Sequence, residues 1–507
     1  MNKTVLDYLK RAVNKYPEKI VYGDIYEEVT YNQFQKRSKR IASQILNDVK
    51  KLNIATSKKP IIVFQDKTVS ALISCIAVTY SGNIYLPFDV NAPIERLNKI
   101  VEVMEPLLIL TDKEHLEIAK GLNVEHIICV DSVKDIKILD KEIDEIERKM
   151  IDTDPLYIIC TSGSTGIPKG VVIPHRAVID FVEEAGEVMQ LNEQDIFANQ
   201  APFYFDASVP DIYCTMQSMA TLYIIPQKLF SFPIKVLEFM KERKVNAIFW
   251  SPSALILIAN LRALKEIDMT QLKKIMFCGE VMPVKQLNIW RKYIPDAIYV
   301  NYYGPSETTY ASTYYIIERE FQDDEMLPIG KAALNTDVLI LNESNCETKP
   351  NEIGELYIRG SGLALGYYND LEKTSENFIQ NPLQNAYADI IYKTGDLVRV
   401  NLRGEIEYVC RKDLQIKHQG YRIELGEIEI AAASIKGISR VCSVYNDKKK
   451  EIVLIYEGES EESSIREKMK EKLPAYMMPN KIYQLDMMPM NANGKIDRVK
   501  IKENYGA

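Results

Sequence analysis

The sequence predicts an α/β protein: a large N-terminal domain of layered α/β sheets plus a small β subdomain, followed by a small α+β C-terminal domain. Three observations carry this. Between residues 21 and 340, short β-type runs (KPIIVF, PLLIL, HIICV, LYIICT, AIFW, KIMFC, AIYVNYY) alternate with helical patterns, as in sheets covered on their faces. From 337 to 409 the runs DVLILN, GELYIRG, DLVRV and EIEYV are split by Gly, Asn and Asp turns, as in an antiparallel unit. After Cys410 the polar segment RKDLQIKHQG leads into a compact pattern: a helix over 425–434, strands VCSVYN and EIVLIYE, and a helix over 461–473.

A chain of 507 residues exceeds what one hydrophobic core usually organises. The boundary is expected near Asp413, which divides the chain into 1–411 and 412–507. The first residues read as an amphipathic helix with Val5, Leu6, Leu9 and Val13 on one face, without the apolar core of an export signal. The longest apolar stretch, 71–88, is broken by Ser74, Ser81, Gly82 and Asn83, so it predicts a buried helix leading into a strand rather than a membrane span. The last residues, 503–507, are expected to fray.

A net charge of −8 with both signs interleaved leaves no basic stripe for nucleic-acid phosphates. Eight cysteines without CxxC spacing, mostly in apolar runs, suit reduced thiols and argue against structural zinc. The expectation is a cytoplasmic protein, a monomer, with neither nucleic-acid partner nor membrane insertion.

In YIICTSGSTGIPKG (157–170) a β-type run ends in a loop of small hydroxylated residues and glycines closed by a lysine. Small side chains let backbone N–H groups approach phosphate oxygens. The hydroxyls of Thr161, Ser162, Ser164 and Thr165 add hydrogen bonds around Gly163, and Lys169 adds charge. Pro168 before the lysine, with no Ser or Thr after it, separates this loop from a Walker A motif.

Further segments follow in fixed order: YLPFDVNAPIER (85–96), FDASVPD (205–211), NYYGPSETT (301–309), GELYIRG (354–360), YKTGDLVR (392–399), RKDLQIKHQGYRIELGEIE (411–429) and NANGKIDR (491–498). With them the chain resembles, over nearly its whole length, the adenylate-forming superfamily. Within it the amino-acid adenylation domains of peptide synthetases and the D-alanine–carrier-protein ligases are most similar. The resemblance implies the adenylate-forming enzyme fold with a mobile C-terminal domain. It also implies ATP and Mg²⁺ as cofactors, a small amino acid as substrate, and a separate carrier protein whose phosphopantetheine thiol receives the acyl group.

Roles carry over residue by residue. Tyr303, followed by Gly304, would stack on adenine, and Glu307 would hold Mg²⁺, an oxygen-ligated hard cation. Asp396, after a glycine turn, would accept hydrogen bonds from the ribose hydroxyls, helped by Arg411. Asp206 would pair with the substrate ammonium; Asp211 reads as a structural helix residue. Lys495 is the expected catalytic residue, with Lys169, cancelling charge as the carboxylate attacks the α-phosphorus. Asp413 would be the hinge, its polar neighbours 411–419 predicting few interdomain contacts. Lys417 and Gly420 would serve thiol transfer. Lys417 and Arg422 read equally well as surface charges, and His418 as a surface residue. Cys410 departs from the glycine common in the family.

By resemblance the side-chain pocket comprises Ala207, Pro210, Phe249, Met276, Cys278, Gly279, Tyr302, Tyr310 and Ala311. Its bulky members leave room for glycine, alanine or serine. The run FCGEVMP and the overall length resemble the D-alanine ligases that supply lipoteichoic acid, whereas Ala207, Tyr302 and Tyr310 depart from them and leave a peptide natural-product pathway open. An acyl- or aryl-CoA ligase is the rival that Asp206 opposes. A non-catalytic nucleotide-binding protein is the rival that the retention of Lys169, Glu307, Asp396 and Lys495 opposes.

Overall fold

Strand alternation decides which side chains face which layer. The computed structural model of the chain describes residues 2–52, 58–162, 168–412, 415–490 and 496–506. Within its nine-stranded sheet, Ala247–Trp250, Lys274–Cys278 and Ile298–Tyr303 run parallel and adjacent. Their register sets Phe249 beside Met276, and Cys278 beside Tyr302. Those residues therefore share one face and bury in one apolar cluster, while Ile248, Trp250, Ile275, Phe277 and Tyr299 bury in a second cluster on the other face.

A seven-stranded sheet stacks strands in the order Gly366–Tyr367, Lys169–Pro174, Pro155–Thr161, Ile84–Pro87, Pro60–Phe64, Ile109–Thr111 and Ile127–Cys129. The helix Val69–Tyr80 is buried along its length and capped by the Thr68 hydroxyl, and it runs into the strand Ile84–Pro87 as the apolar stretch predicts. Among the described residues no helix is long and apolar enough to cross a membrane. The antiparallel unit is a sheet of Thr336–Leu341, Gly354–Gly360, Ile390–Val400, Phe378–Gln380 and Ile406–Arg411.

Beyond Arg411 come the hairpin Gln415–His418/Tyr421–Glu424, the helix Leu425–Ala433, and a sheet of Ile438–Asn446, Glu451–Gly458 and Lys481–Leu485 with its own apolar cluster. The expected fraying at the C-terminus is corrected. The helix Arg498–Tyr505 includes Glu503 to Tyr505, because Asp497 caps it by accepting from the Lys500 N–H (3.1 Å) and Ile501 is fully buried.

One buried titratable group gives the fold a pH dependence. His175 opens the helix His175–Val188, and its Nδ1 accepts the Val5 N–H at 3.4 Å. Burial lowers its pKa to about 4, with Asp154, Asp7 and Asp152 opposing. Below the unfolded value near 6.5 the unfolded chain binds this proton better, so stability falls as pH drops from about 6.5 towards 4, by on the order of 3 kcal/mol in all. Melting temperatures across that window should decline less in His175→Asn, which keeps an acceptor for Val5 but cannot titrate. Parallel declines would remove His175 as the cause.

Candidate active site

Open α/β sheets bind ligands beyond the carboxyl ends of their strands, and here three adjacent strands end at Trp250, Cys278 and Tyr303. The chain leaves the last of them through Gly304, where a Cβ would lie 2.6 Å from the Ala311 Cα and 2.7 Å from the Tyr310 carbonyl. Thr309 (φ 57°) and Tyr310 (φ 71°) are both left-handed, a cost for residues with a Cβ that is concentrated at functional sites. This bend returns Tyr310 and Ala311 to the face that carries Met276, Cys278 and Tyr302, and the Tyr310 carbonyl accepts from Cys278 Sγ at 3.6 Å. Gly279 adopts φ 102°, with nothing within 4 Å of a Cβ built there, so its backbone faces open space.

The predicted pocket residues come together. Phe249, Met276, Cys278, Tyr302, Tyr310 and Ala311 belong to one buried cluster, and half-buried Ala207 packs on it. Pro210 is buried in the first turn of the helix Val209–Ser218. Phe181, which sequence reasoning missed, packs edge-on against Tyr310 (5.3 Å) and Tyr302 (6.1 Å), fixing both rings from behind. Only its helical register could have signalled it. Asp211 is structural, as expected: fully buried, it accepts from Asn199 Nδ2 at 2.7 Å. Asp206, at the helix entry, makes no ion pair among the described residues. Burial pushes its carboxyl up, against the opposing pull of Ser306, Arg422 and Lys417.

Among the residues predicted to hold the nucleotide, strand register sets Asp396 opposite Arg411. Buried Asp396 accepts from Arg411 Nη1 at 3.1 Å and from the Tyr303 hydroxyl. Three residues predicted for adenosine thus form one cluster. Thr161 and Lys169 are strand partners on either side of the segment predicted to bind phosphate. The buried Thr161 hydroxyl has no hydrogen-bond partner among the described residues. Gly163, Ser164 and Thr165, like Asp413 and Lys495, lie outside the described residues.

Glu307 is fully buried in the turn Ser306–Thr308. Its carboxylate accepts from the Tyr367 hydroxyl at 2.8 Å and from Arg422 Nη1 at 2.5 Å. Burial alone would raise its pKa, but Arg422, Lys169 and the two hydrogen bonds bring it down to about 2. Lys169 Nζ lies 5.0 Å from the Tyr367 ring centre, its own pKa lowered by burial and by Arg422. A carboxylate that its cationic neighbours favour in the ionised form, the Thr161 hydroxyl and a lysine are the oxygen-donor and cationic chemistry that a phosphate-bound Mg²⁺ requires, so the residues fit that ion.

The hairpin after Arg411 corrects three expectations. Rather than making few contacts, it is docked: the Gly420 N–H donates to Glu280 (2.8 Å), Lys417 Nζ lies 5.7 Å from the Tyr303 ring centre, and Arg422 reaches Glu307. Arg422 is therefore no surface charge. His418 is buried, Nδ1 lying 3.2 Å from the Tyr445 hydroxyl, because its strand's inner face turns onto the following sheet. Gly420 is required by its φ of 84°, since a Cβ there would meet Ser251 at an ordinary 3.5 Å. Tyr421 stacks on Tyr476 (3.9 Å) and meets Phe205 edge-on (4.9 Å), beside Asp206, and buried Arg96 pairs with Glu427. These partners lie far apart in sequence and carry no local signal. A cleft of about 2030 Å³ runs between the two parts, lined by Ser251, Gly279, Tyr302 and Tyr303 on one side and Lys417 and Tyr476 on the other.

A family model described as AMP-binding enzyme matches residues 9–368. The chain is 30% identical to the D-alanine–D-alanyl carrier protein ligase of Bacillus licheniformis over 98% of its own length and 99% of that protein. It is 28% identical to gramicidin S synthase 1 of Brevibacillus brevis, covering 99% of this chain and 44% of the synthase. Among solved structures, the Vibrio cholerae adenylation domain AlmE in complex with glycyl-adenosine-5′-phosphate superposes with a TM-score of 0.84 at 20% identity, over 99% of this chain and 98% of that one.

Proposed function

Since the chain belongs to the AMP-binding enzymes and is an adenylate-forming ligase, we propose that it activates a small amino acid, D-alanine foremost, with alanine, glycine or serine as the alternatives, and loads it onto the phosphopantetheine thiol of a carrier protein. The observation that carries this reading is Asp206. Among the described residues this desolvated carboxylate makes no direct ion pair, Arg422 and Lys417 acting on it only from a distance, and a substrate ammonium is the complement that would offset the cost of its burial. An acyl or aryl acid brings no such charge. The similarity to named D-alanine ligases supports both the substrate and the carrier.

In the first half-reaction a carboxylate oxygen of the amino acid attacks the α-phosphorus of ATP, the α–β P–O bond breaks, and pyrophosphate leaves. In the second, the thiol sulfur attacks the acyl carbon, the bond to AMP breaks, and the thiol proton passes to solvent. Asp206 would hold the ammonium throughout. Tyr303, Asp396 and Arg411 would fix the nucleoside, Lys169 and the Thr161 hydroxyl would orient phosphate oxygens, and Lys495 would neutralise charge at the α-phosphate. A bound Mg²⁺, held through Glu307, would supply further neutralisation of the phosphate oxygens. For the second step the unit after Asp413 would present Gly420 and Lys417 to the incoming arm.

Rings backed by Phe181 favour small substrates. Forcing a larger side chain against Tyr302 and Tyr310, themselves backed by Phe181, costs roughly 1–3 kcal/mol or more. An ATP–pyrophosphate exchange panel containing glycine, serine, both alanine enantiomers and the remaining standard amino acids tests the reading. Exchange is expected with the small members, and Tyr310→Ala or Tyr302→Ala should move the kcat/KM ratio of leucine to alanine upward by about tenfold or more. No exchange with any amino acid rejects the proposal, and exchange with unsubstituted carboxylic acids alone would turn it into a CoA-ligase reading.

A further inference from the structure

We infer that Asp66, Glu114 and His115 form a zinc site in the wall of the cleft, separate from the Glu307 carboxylate: one imidazole and two carboxylates that would hold a single Zn²⁺ and leave a further coordination position to water. Their candidate ligand atoms all lie within 4.8 Å of one another. The inference draws on neither the substrate nor the carrier of the proposed function.

Strand pairing brings the three residues together. Pro60–Phe64 and Ile109–Thr111 are parallel neighbours in the seven-stranded sheet, with Phe64 opposite Thr111, and the Thr111 hydroxyl donates to the Phe64 carbonyl at 2.9 Å. Both strands end at that point. Asp66 therefore follows the first strand, and Asp112, Glu114 and His115 follow the second, at one carboxyl edge, where open α/β sheets present their ligand-binding groups. Asp66, Glu114 and His115 all line the cleft.

The imidazole sets this cluster apart from a pair of surface carboxylates. His115 is 6% exposed, its ring edge-on to Phe64 at 6.0 Å. Asp112 Oδ1 lies 2.7 Å from Nδ1 and also accepts the His115 N–H at 2.9 Å. A carboxylate on Nδ1 holds the proton there, orients the ring and leaves the Nε2 lone pair as the donor to a metal. Nε2 makes no hydrogen bond among the described residues and faces Asp66 Oδ2 at 3.7 Å. A lone pair buried against a carboxylate oxygen is unfavourable, and a cation between the two atoms turns that contact into two bonds.

Zinc bonds of about 2.0–2.2 Å in a tetrahedral site put the ligand atoms roughly 3.3–3.6 Å apart. The separation of Nε2 from Asp66 is already close to that, and Asp66 and Glu114 are exposed side chains whose rotation closes the rest. Imidazole combined with carboxylate suits zinc, whereas Mg²⁺ takes oxygen ligands. No thiolate takes part, so the cysteine spacing carries no sign of this site.

Isothermal titration of Zn²⁺ into the full-length enzyme, with excess Mg²⁺ present, tests the inference. One Zn²⁺ per chain is expected. Its affinity should fall by about a hundredfold or more in His115→Gln and in the double variant Asp66→Asn, Glu114→Gln, and by about tenfold in Asp112→Asn, where only the positioning of the imidazole is weakened. Glu307→Gln should bind Zn²⁺ as wild type does. The double variant changes exposed side chains only, so its melting temperature without zinc should match wild type, while added Zn²⁺ should raise the melting temperature of wild type and not that of the double variant. Absence of saturable Zn²⁺ binding in wild type, or unchanged affinity in the double variant, overturns the site. Loss of binding in Glu307→Gln with the double variant unaffected would move the zinc to Glu307 and overturn it as well.

Discussion

Replacing Asp206 with asparagine is expected to lower amino-acid-dependent ATP–pyrophosphate exchange by about 10²–10³-fold, most of it as a rise in the KM for the amino acid. The size follows from the environment. The variant keeps a side chain of the same shape that Ser306 can still bond, but it leaves the incoming ammonium without a countercharge in a desolvated pocket, and truncating one member of such a pair costs about 2–5 kcal/mol. Stabilisation of the protein by ATP alone, followed as a thermal shift, should be unchanged, because Tyr303, Asp396 and Arg411 are untouched. A variant that exchanges within about threefold of wild type would end the ammonium assignment. Since burial raises the Asp206 pKa, its ionised fraction falls at a higher pH than an ordinary aspartate's, so amino-acid affinity in wild type should weaken on acidification before ATP affinity does.

Lys495→Ala should divide the two half-reactions. Adenylate formation should fall by about 10²–10³-fold or more, as expected for a group that stabilises charge developing in the transition state. Transfer from a supplied aminoacyl-adenylate to the carrier thiol should stay within a few-fold of wild type. Lys495 itself lies outside the described residues, but the residues on either side of that segment are described: Met490 bridges Ile496, and the Asp497 N–H donates to the Pro489 carbonyl at 2.8 Å. These flanks belong to the C-terminal unit, and the docked hairpin holds that unit against the core. Single-turnover assays of each step, with equal losses in both, would refute alternation between arrangements.

What could be read from the chain was whatever short-range chemistry encodes. Short β-type runs marked the strands, and the family resemblance grouped Phe249, Met276, Cys278 and Tyr302, which the structure buries together on the face opposite Trp250 and Phe277. Gly279 and Gly420 mark backbone that only glycine adopts without strain, and Gly304 marks a contact too close for a Cβ. Tyr303, Asp396 and Arg411 could be grouped because their segments are distinctive in composition and order.

The hairpin shows what could not be read. RKDLQIKHQGYRIE is polar, and polarity predicts solvent; nothing within it reports a carboxylate 115 positions away at Glu307 or the Tyr445 hydroxyl that buries His418. Phe181 and the pair Arg96 and Glu427 were silent for the same reason, each being ordinary in its own helix. Sequence alone determined the layered α/β class, the loop chemistry suited to phosphate and the family. Only the tertiary structure decided that Arg422 pairs with Glu307 and that Phe181 packs against Tyr302 and Tyr310, because burial and charge pairing belong to surfaces that exist only once distant segments are packed together.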